Sequence, residues 1–183
     1  MTKHFTQASF TTMLWKNGQG TTTELFRLPD PAAPEDFLLR ISVATVTGAG
    51  PFSLFPGIDR TLLVLDGTGA RLRSDGRPAV DLLRTSAPFE FPGELELACD
   101  LLGGPVTDFN VMLKRGFGSA EVRKEEVRAP GKRTVDCGGD LRFLYRRTAG
   151  GASELWQLSP AEAVTIEAHA GDQLVTVGVR KPT

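Results

Sequence analysis

The stretch from Gly50 to Gly67 reads Gly-Pro-Phe-Ser-Leu-Phe-Pro-Gly-Ile-Asp-Arg-Thr-Leu-Leu-Val-Leu-Asp-Gly, and its reading decides the fold. Gly50-Pro51 and Pro56-Gly57 are turn signals flanking Phe52 and Phe55. The apolar run Thr61 to Leu65 is too short for a helix and closes at Asp66-Gly67, which makes it a strand covered on both faces. Arg60 stands at the head of that strand. It is either a surface charge or a group aimed into a cavity.

Outward from this stretch the same grammar repeats. Asn17-Gly18 is a hairpin turn, and Thr21 to Phe26 leaves it with β-branched character. Thr6 to Leu14 reads as an opening strand or coil, and Pro29, Pro31 and Pro34 mark a loop. Phe37 to Val46 is a strand with Leu39, Ile41 and Val43 on one face and Arg40, Ser42 and Ala44 on the other. Ala70–Ser74 and Val80–Arg84 are strands joined at Asp75-Gly76. Phe89 to Ala98 alternates apolar and acidic residues across a Pro-Gly turn. Beyond Gly103-Gly104-Pro105, Asp108, Asn110 and Met112 share one strand face, with Phe109, Val111 and Leu113 on the other. Further strands are expected over 120–127, 133–137, 141–147, 154–158, 163–168 and 173–179. No segment holds a helical period for three turns. Many short strands between Gly and Pro turns predict an all-β sandwich or barrel. A faint echo between Leu62–Gly67 and Leu155–Pro160 suggests two halves.

Composition narrows the function. The 183 residues carry a formal net charge of −1, without the basic patch of a nucleic-acid-binding domain. Arg71, Arg73, Arg77 and Arg84 are interspersed with acids and read as solvated strand faces. No apolar run approaches a membrane span, and the first residues lack a signal-peptide core. A cytoplasmic protein is expected, with Cys99 and Cys137 as free thiols. Only two histidines exist, His4 in a frayed terminus and His169 near the last turn, too few for a transition-metal site. No metal and no cofactor are expected. Ser53 has no histidine near it in sequence and no nucleophile-elbow motif, so it reads as a turn or hydrogen-bonding residue.

Four blocks carry a family resemblance: Trp15-Lys-Asn-Gly-Gln-Gly-Thr-Thr-Thr-Glu24, Arg40-Ile-Ser-Val-Ala44, Gly50 to Arg60, and Asp108-Phe-Asn-Val-Met112. In this order they resemble the HutD/Ves family. The resemblance implies a cupin-like double β-barrel, a bicupin of jelly-roll type, in a single chain. Its halves fall at about 1–115 and 116–183, with strands open to exchange between them. It also implies an association with histidine utilisation or, in the Ves branch, with a stress response. Gln19 stands where the family commonly has the middle of three glycines. Many cupins bind a metal through two His, a Glu and a later His, and those ligands are missing here.

The candidate ligand-binding residues are Asn17, Glu24, Arg40, Ser53, Arg60 and Asn110, with Ser42 and Asp108 in the same polar set. Guanidinium forks suit a carboxylate and amides suit a carbonyl. Trp15 is either a pocket wall or plain core. The expected function is metal-free binding of a small carboxylate metabolite, such as formylglutamate, in a regulatory role. The alternative is a metal-independent isomerase or hydrolase with Glu24 or Asp108 as general base. An interaction scaffold is a third class, and a homodimer is one admissible assembly. The competing structural reading is a buried ion-pair network, Glu24 with Arg40 or Arg60, that only fixes the interior. For Arg60 the better partner is Glu24 or a ligand, because Asp59 points the other way in an extended chain.

Overall fold

The computed structural model describes residues 1–160 and 162–182, apart from the side chains of Pro34 and Glu35. Among these residues, everything regular is strand except one 3-10 turn, Gln7–Ser9. No helix is long and apolar enough to cross a membrane. The chain divides into two compact units, one of Thr11–Arg115 and one of Met1–Phe10 with Gly116–Thr183.

The chain opens with β1 (Lys3–Thr6). The Thr11–Arg115 unit then carries β2 (Thr11–Leu14), β3 (Gly20–Asp30), β4 (Ala33–Val46), β5 (Gly50–Pro51) and β6 (Ile58–Asp66). It continues with β7 (Ala70–Arg73), β8 (Val80–Leu82), β9 (Phe89–Pro92), β10 (Ala98–Leu101) and β11 (Val106–Lys114). A six-stranded sheet has the order β2-β3-β4-β11-β6-β9, and a four-stranded sheet the order β5-β10-β7-β8. Leu62, Val64, Phe91 and Val106 of the first pack with Ala70, Leu72, Leu82 and Cys99 of the second in one core. The other face of the six-stranded sheet is buried as well: Leu39, Ile41, Leu63, Leu65, Phe109, Val111 and Leu113 are at most 3% exposed. This double burial is why the central strands read as continuous apolar runs.

The second unit holds β12 (Ser119–Glu126), β13 (Gly131–Val135), β14 (Leu141–Arg147), β15 (Ser153–Leu158), β16 (Val164–Ala168) and β17 (Gln173–Arg180). Its five-stranded sheet runs β1-β15-β14-β17-β12, beside a β13-β16 pair. Val127, Leu144, Ile166, Ala168 and Leu174 form a core between them.

Two expectations need correction. The proline-rich segment is not a loop: β3 and β4 form one hairpin with only Pro31 and Ala32 between them. Pro29 lacks an N–H, and the ladder absorbs it with register shifts on either side of it. His4 is not frayed. It pairs across from Trp156 in β15, stacks on that indole with ring centroids 4.6 Å apart, and places Nε2 3.3 Å from Glu154. The alternating stretch Phe89–Ala98 is shared between the two sheets, since β9 pairs with β6 while β10 pairs with β5 and β7.

Candidate functional site

The register of the six-stranded sheet builds the site. Across β4, β11 and β6, three transverse rows lie side by side on one face: Ala44, Asp108 and Val64; Ser42, Asn110 and Leu62; Arg40, Met112 and Arg60. Period-two alternation puts these side chains on the same side of the sheet. All of them but Val64 floor a cavity of about 590 Å³, walled by Pro51 to Ser53 and Phe55 on one side and Met13 to Asn17 on the other.

Those walls have local causes. Trp15 and Gly20 close the β2-β3 hairpin, with Trp15 N–H donating to the Gly20 carbonyl at 2.9 Å. Gly18 in the turn has φ +70°, a conformation that favours glycine. A side chain at Gly20 would meet the Thr45 carbonyl at 2.6 Å and the Trp15 ring at 2.9 Å, so the indole lies flush on bare backbone. Trp15 Nε1 donates to Thr22 Oγ1 at 2.8 Å, which fixes the ring against the cavity. Asn17 Oδ1 accepts from the Gln19 N–H at 3.0 Å, so Asn17 shapes the turn while lining the rim.

Arg60 is inside: it is 8% exposed, and its guanidinium lies 4.9 Å from the ring centre of Phe91, 5.3 Å from Phe52 and 5.4 Å from Phe55. Among the described residues its one acceptor is the Ser53 carbonyl, at 3.4 Å, and its Nε has no partner. Ser53 thus meets Arg60 through its backbone. Glu24 does not pair with Arg60. It accepts from Arg40 Nε at 2.7 Å. The strand order explains this: β3 and β6 are separated by β4 and β11, about 14 Å at the usual strand spacing, whereas β4 is adjacent. Asp59, as expected, turns away and pairs with Arg115.

Five of the six candidates, Asn17, Arg40, Ser53, Arg60 and Asn110, line the cavity, and Glu24 holds Arg40 from beside it. Sequence reasoning missed the aromatic box. Phe52 and Phe55 were visible flanking the turn before Arg60, but Phe91 reaches it only because β9 pairs Phe91 opposite Arg60.

The electrostatics follow from burial. Desolvation pulls the Arg60 guanidinium down to about 10, against the attraction of Asp108 and with the repulsion of Arg40. Arg60 stays charged at neutral pH. Burial pushes the Asp108 carboxyl up to about 7, with Arg60 opposing. Asp108 also borders an apolar void lined by Val64, Leu72, Cys99 and Val106, which is the source of that desolvation. Burial likewise raises the Cys99 thiol to about 11. Asn110 Oδ1 is buried without a hydrogen-bond donor among the described residues. No cluster of three or more His, Cys, Asp or Glu that could hold a metal occurs among the described residues.

Residues 7–180 match the HutD family. The chain belongs to the HutD family. An uncharacterized 21.2 kDa protein in the hutC 3' region of Pseudomonas putida is 43% identical over 100 residues, 55% of this chain and 52% of that protein. Protein Ves of Citrobacter koseri is 36% identical over 111 residues, 60% of this chain and 56% of Ves. The chain spans about half the length of these curated relatives. Among solved structures, a conserved protein of unknown function from Pseudomonas aeruginosa PAO1 superposes with TM-score 0.80 at 25% identity, over 99% of this chain and 100% of the other. HutD from Pseudomonas fluorescens SBW25, in a formate condition, gives 0.75 at 25% identity, over 98% and 100%. The all-β, cupin-like architecture expected from the sequence is the fold of this HutD-family chain.

Proposed function

We propose that this HutD-family protein binds a small carboxylate metabolite in the cavity of the Thr11–Arg115 unit, in the cytoplasm and in a regulatory role. The observation that carries the reading is Arg60: a buried charge facing a cavity, with an unpartnered Nε and no carboxylate bonded to it among the described residues. A buried charge is costly unless paired, and a ligand carboxylate supplies the missing pair. Three aromatic faces hold the guanidinium without saturating its hydrogen bonds. Asn110 Oδ1 supplies an acceptor for an N–H of the ligand, and Arg40, fixed by Glu24, adds positive potential. The HutD family's association with histidine utilisation makes N-formylglutamate the first ligand to try.

Calorimetry of wild type and Arg60→Lys against acyl-amino acids and dicarboxylates tests this. Lysine keeps the charge and loses the planar fork, so binding weakens by about 2 kcal/mol, roughly thirtyfold. Equal affinity in both folded proteins would remove Arg60 as the anchor. A second reading, a metal-independent general-base enzyme, draws on Asp108, which titrates near neutrality beside Arg60. Glu24 fits that role poorly because Arg40 occupies it. Turnover of any panel member that is lost in Asp108→Asn would favour the enzyme.

A further inference from the structure

A cavity that binds carboxylates should not present a carboxylate of its own, yet Asp108 is on the floor. It is 6% exposed, and it is the only acid among the described lining residues. No described residue donates a hydrogen bond to it; Arg60 acts on it only by charge. On its other side lies the apolar void with Val64, Leu72, Cys99 and Val106. An ionised Asp108 would repel an incoming anion across a poorly solvated space, where charges interact strongly.

We propose that Asp108 takes up a proton when a carboxylate docks on Arg60, so that the cavity binds a carboxylate and a proton together; this rests on the carboxylate reading above. The proton comes from solvent. In its acid form Asp108 donates an O–H hydrogen bond to a ligand oxygen, turning the repulsive group into a recognising one.

The charges around Asp108 set the direction. Arg60 on β6 is the group that favours its ionised form. Arg40 on β4 is already met by Glu24 of β3. Cys99 on β10 has its thiol raised to about 11 and stays neutral through the working range. Lys16 is at the rim. A ligand carboxylate consumes the attraction of Arg60 and adds a negative charge, and both effects drive Asp108 to its acid form. With the free carboxyl at about 7, uptake is small at pH 6, where Asp108 already holds its proton, and approaches one proton per ligand near pH 8.

The test is calorimetry with N-formylglutamate at pH 6 and pH 8, each in two buffers of different ionisation enthalpy. The expected result is buffer-dependent heat at pH 8 that vanishes at pH 6, with affinity falling toward tenfold per pH unit above 7. Asp108→Asn should bind with affinity independent of pH between 6.5 and 8.5, values chosen to bracket the free carboxyl. Should that variant not fold, carbon-13 NMR of the Asp108 carboxyl in wild type, with and without saturating formate, reads the same coupling. The midpoint should rise by about two pH units or more. Binding with equal heats in both buffers and an unmoved carboxyl midpoint would overturn the coupling and leave the carboxylate reading intact. Failure of both N-formylglutamate and formate to bind would overturn both.

Discussion

Replacing Arg60 by methionine should make the ligand-free protein more stable. Methionine has similar length and no charge, so it can occupy the same channel between Phe52, Phe55 and Phe91. Burial lowers the Arg60 guanidinium from its ordinary value to about 10. At about 1.4 kcal/mol per pH unit that is about 3 kcal/mol lost by keeping the charge inside. The aromatic faces return part of it, about 0.5–2 kcal/mol each at best, and one guanidinium cannot lie flat on three rings at once. The bond to Ser53 at 3.4 Å lies beyond the usual range of N–H···O contacts and returns little. The net expectation is a gain of about 1–2 kcal/mol for Arg60→Met, with loss of carboxylate binding. The charge is lost only near pH 10, so the penalty is constant across the neutral range and pH 7 is a fair condition. Urea unfolding followed by Trp15 fluorescence, in a Trp156→Phe background, reports on the unit that holds the site. A loss of about 2 kcal/mol or more in Arg60→Met would refute the reasoning, because Arg60 would then be a structural tie instead of a charge kept for a ligand.

Two further outcomes follow from the same site. Asp108 is raised from 3.8 to about 7, so between those values the unfolded chain ionises while the folded one does not, and stability falls with rising pH before levelling above 7. Asp108→Asn should be the more stable protein at pH 8 and converge with wild type near pH 4, measured as urea midpoints; parallel curves would show that Asp108 is solvated. Glu24→Gln leaves the Arg40 guanidinium, whose side chain is only 14% exposed, without its counter-charge, and should cost about 2 kcal/mol by denaturant unfolding; a change under about 0.5 kcal/mol would place the pair with ordinary surface bridges.

The fold was legible because burial on both faces leaves a distinctive trace. Thr61 to Leu65 had to be a covered strand, and β6 is one. Face assignment was equally local: Arg40, Ser42 and Ala44 share the cavity face with Asp108, Asn110 and Met112 as the two-residue period requires. What failed was information carried by pairing partners. The prolines at 29 and 31 read as a loop because a one-dimensional reading cannot tell a bulged hairpin end from a break. His4 read as frayed because its anchor, Trp156, is contributed by a strand more than 150 residues later.

The same distinction explains why the site was only half visible. Alternation places Arg60 and Glu24 on the cavity face of their strands, so a pairing between them was reasonable until strand order was known. With β4 adjacent to β3, Arg40 takes the carboxylate. Arg60 is then left opposite Phe91 on the far side of Met112. The two guanidinium groups on the floor are unequally met: Arg40 is bonded to Glu24, whereas Arg60, among the described residues, bonds no carboxylate and meets the desolvated Asp108 carboxyl only through charge. A network built only for stability would have matched its charges, since an unmatched one costs more than an apolar side chain of the same volume. The mismatch is therefore the strongest physical argument that the cavity exists for an anion the chain does not itself supply.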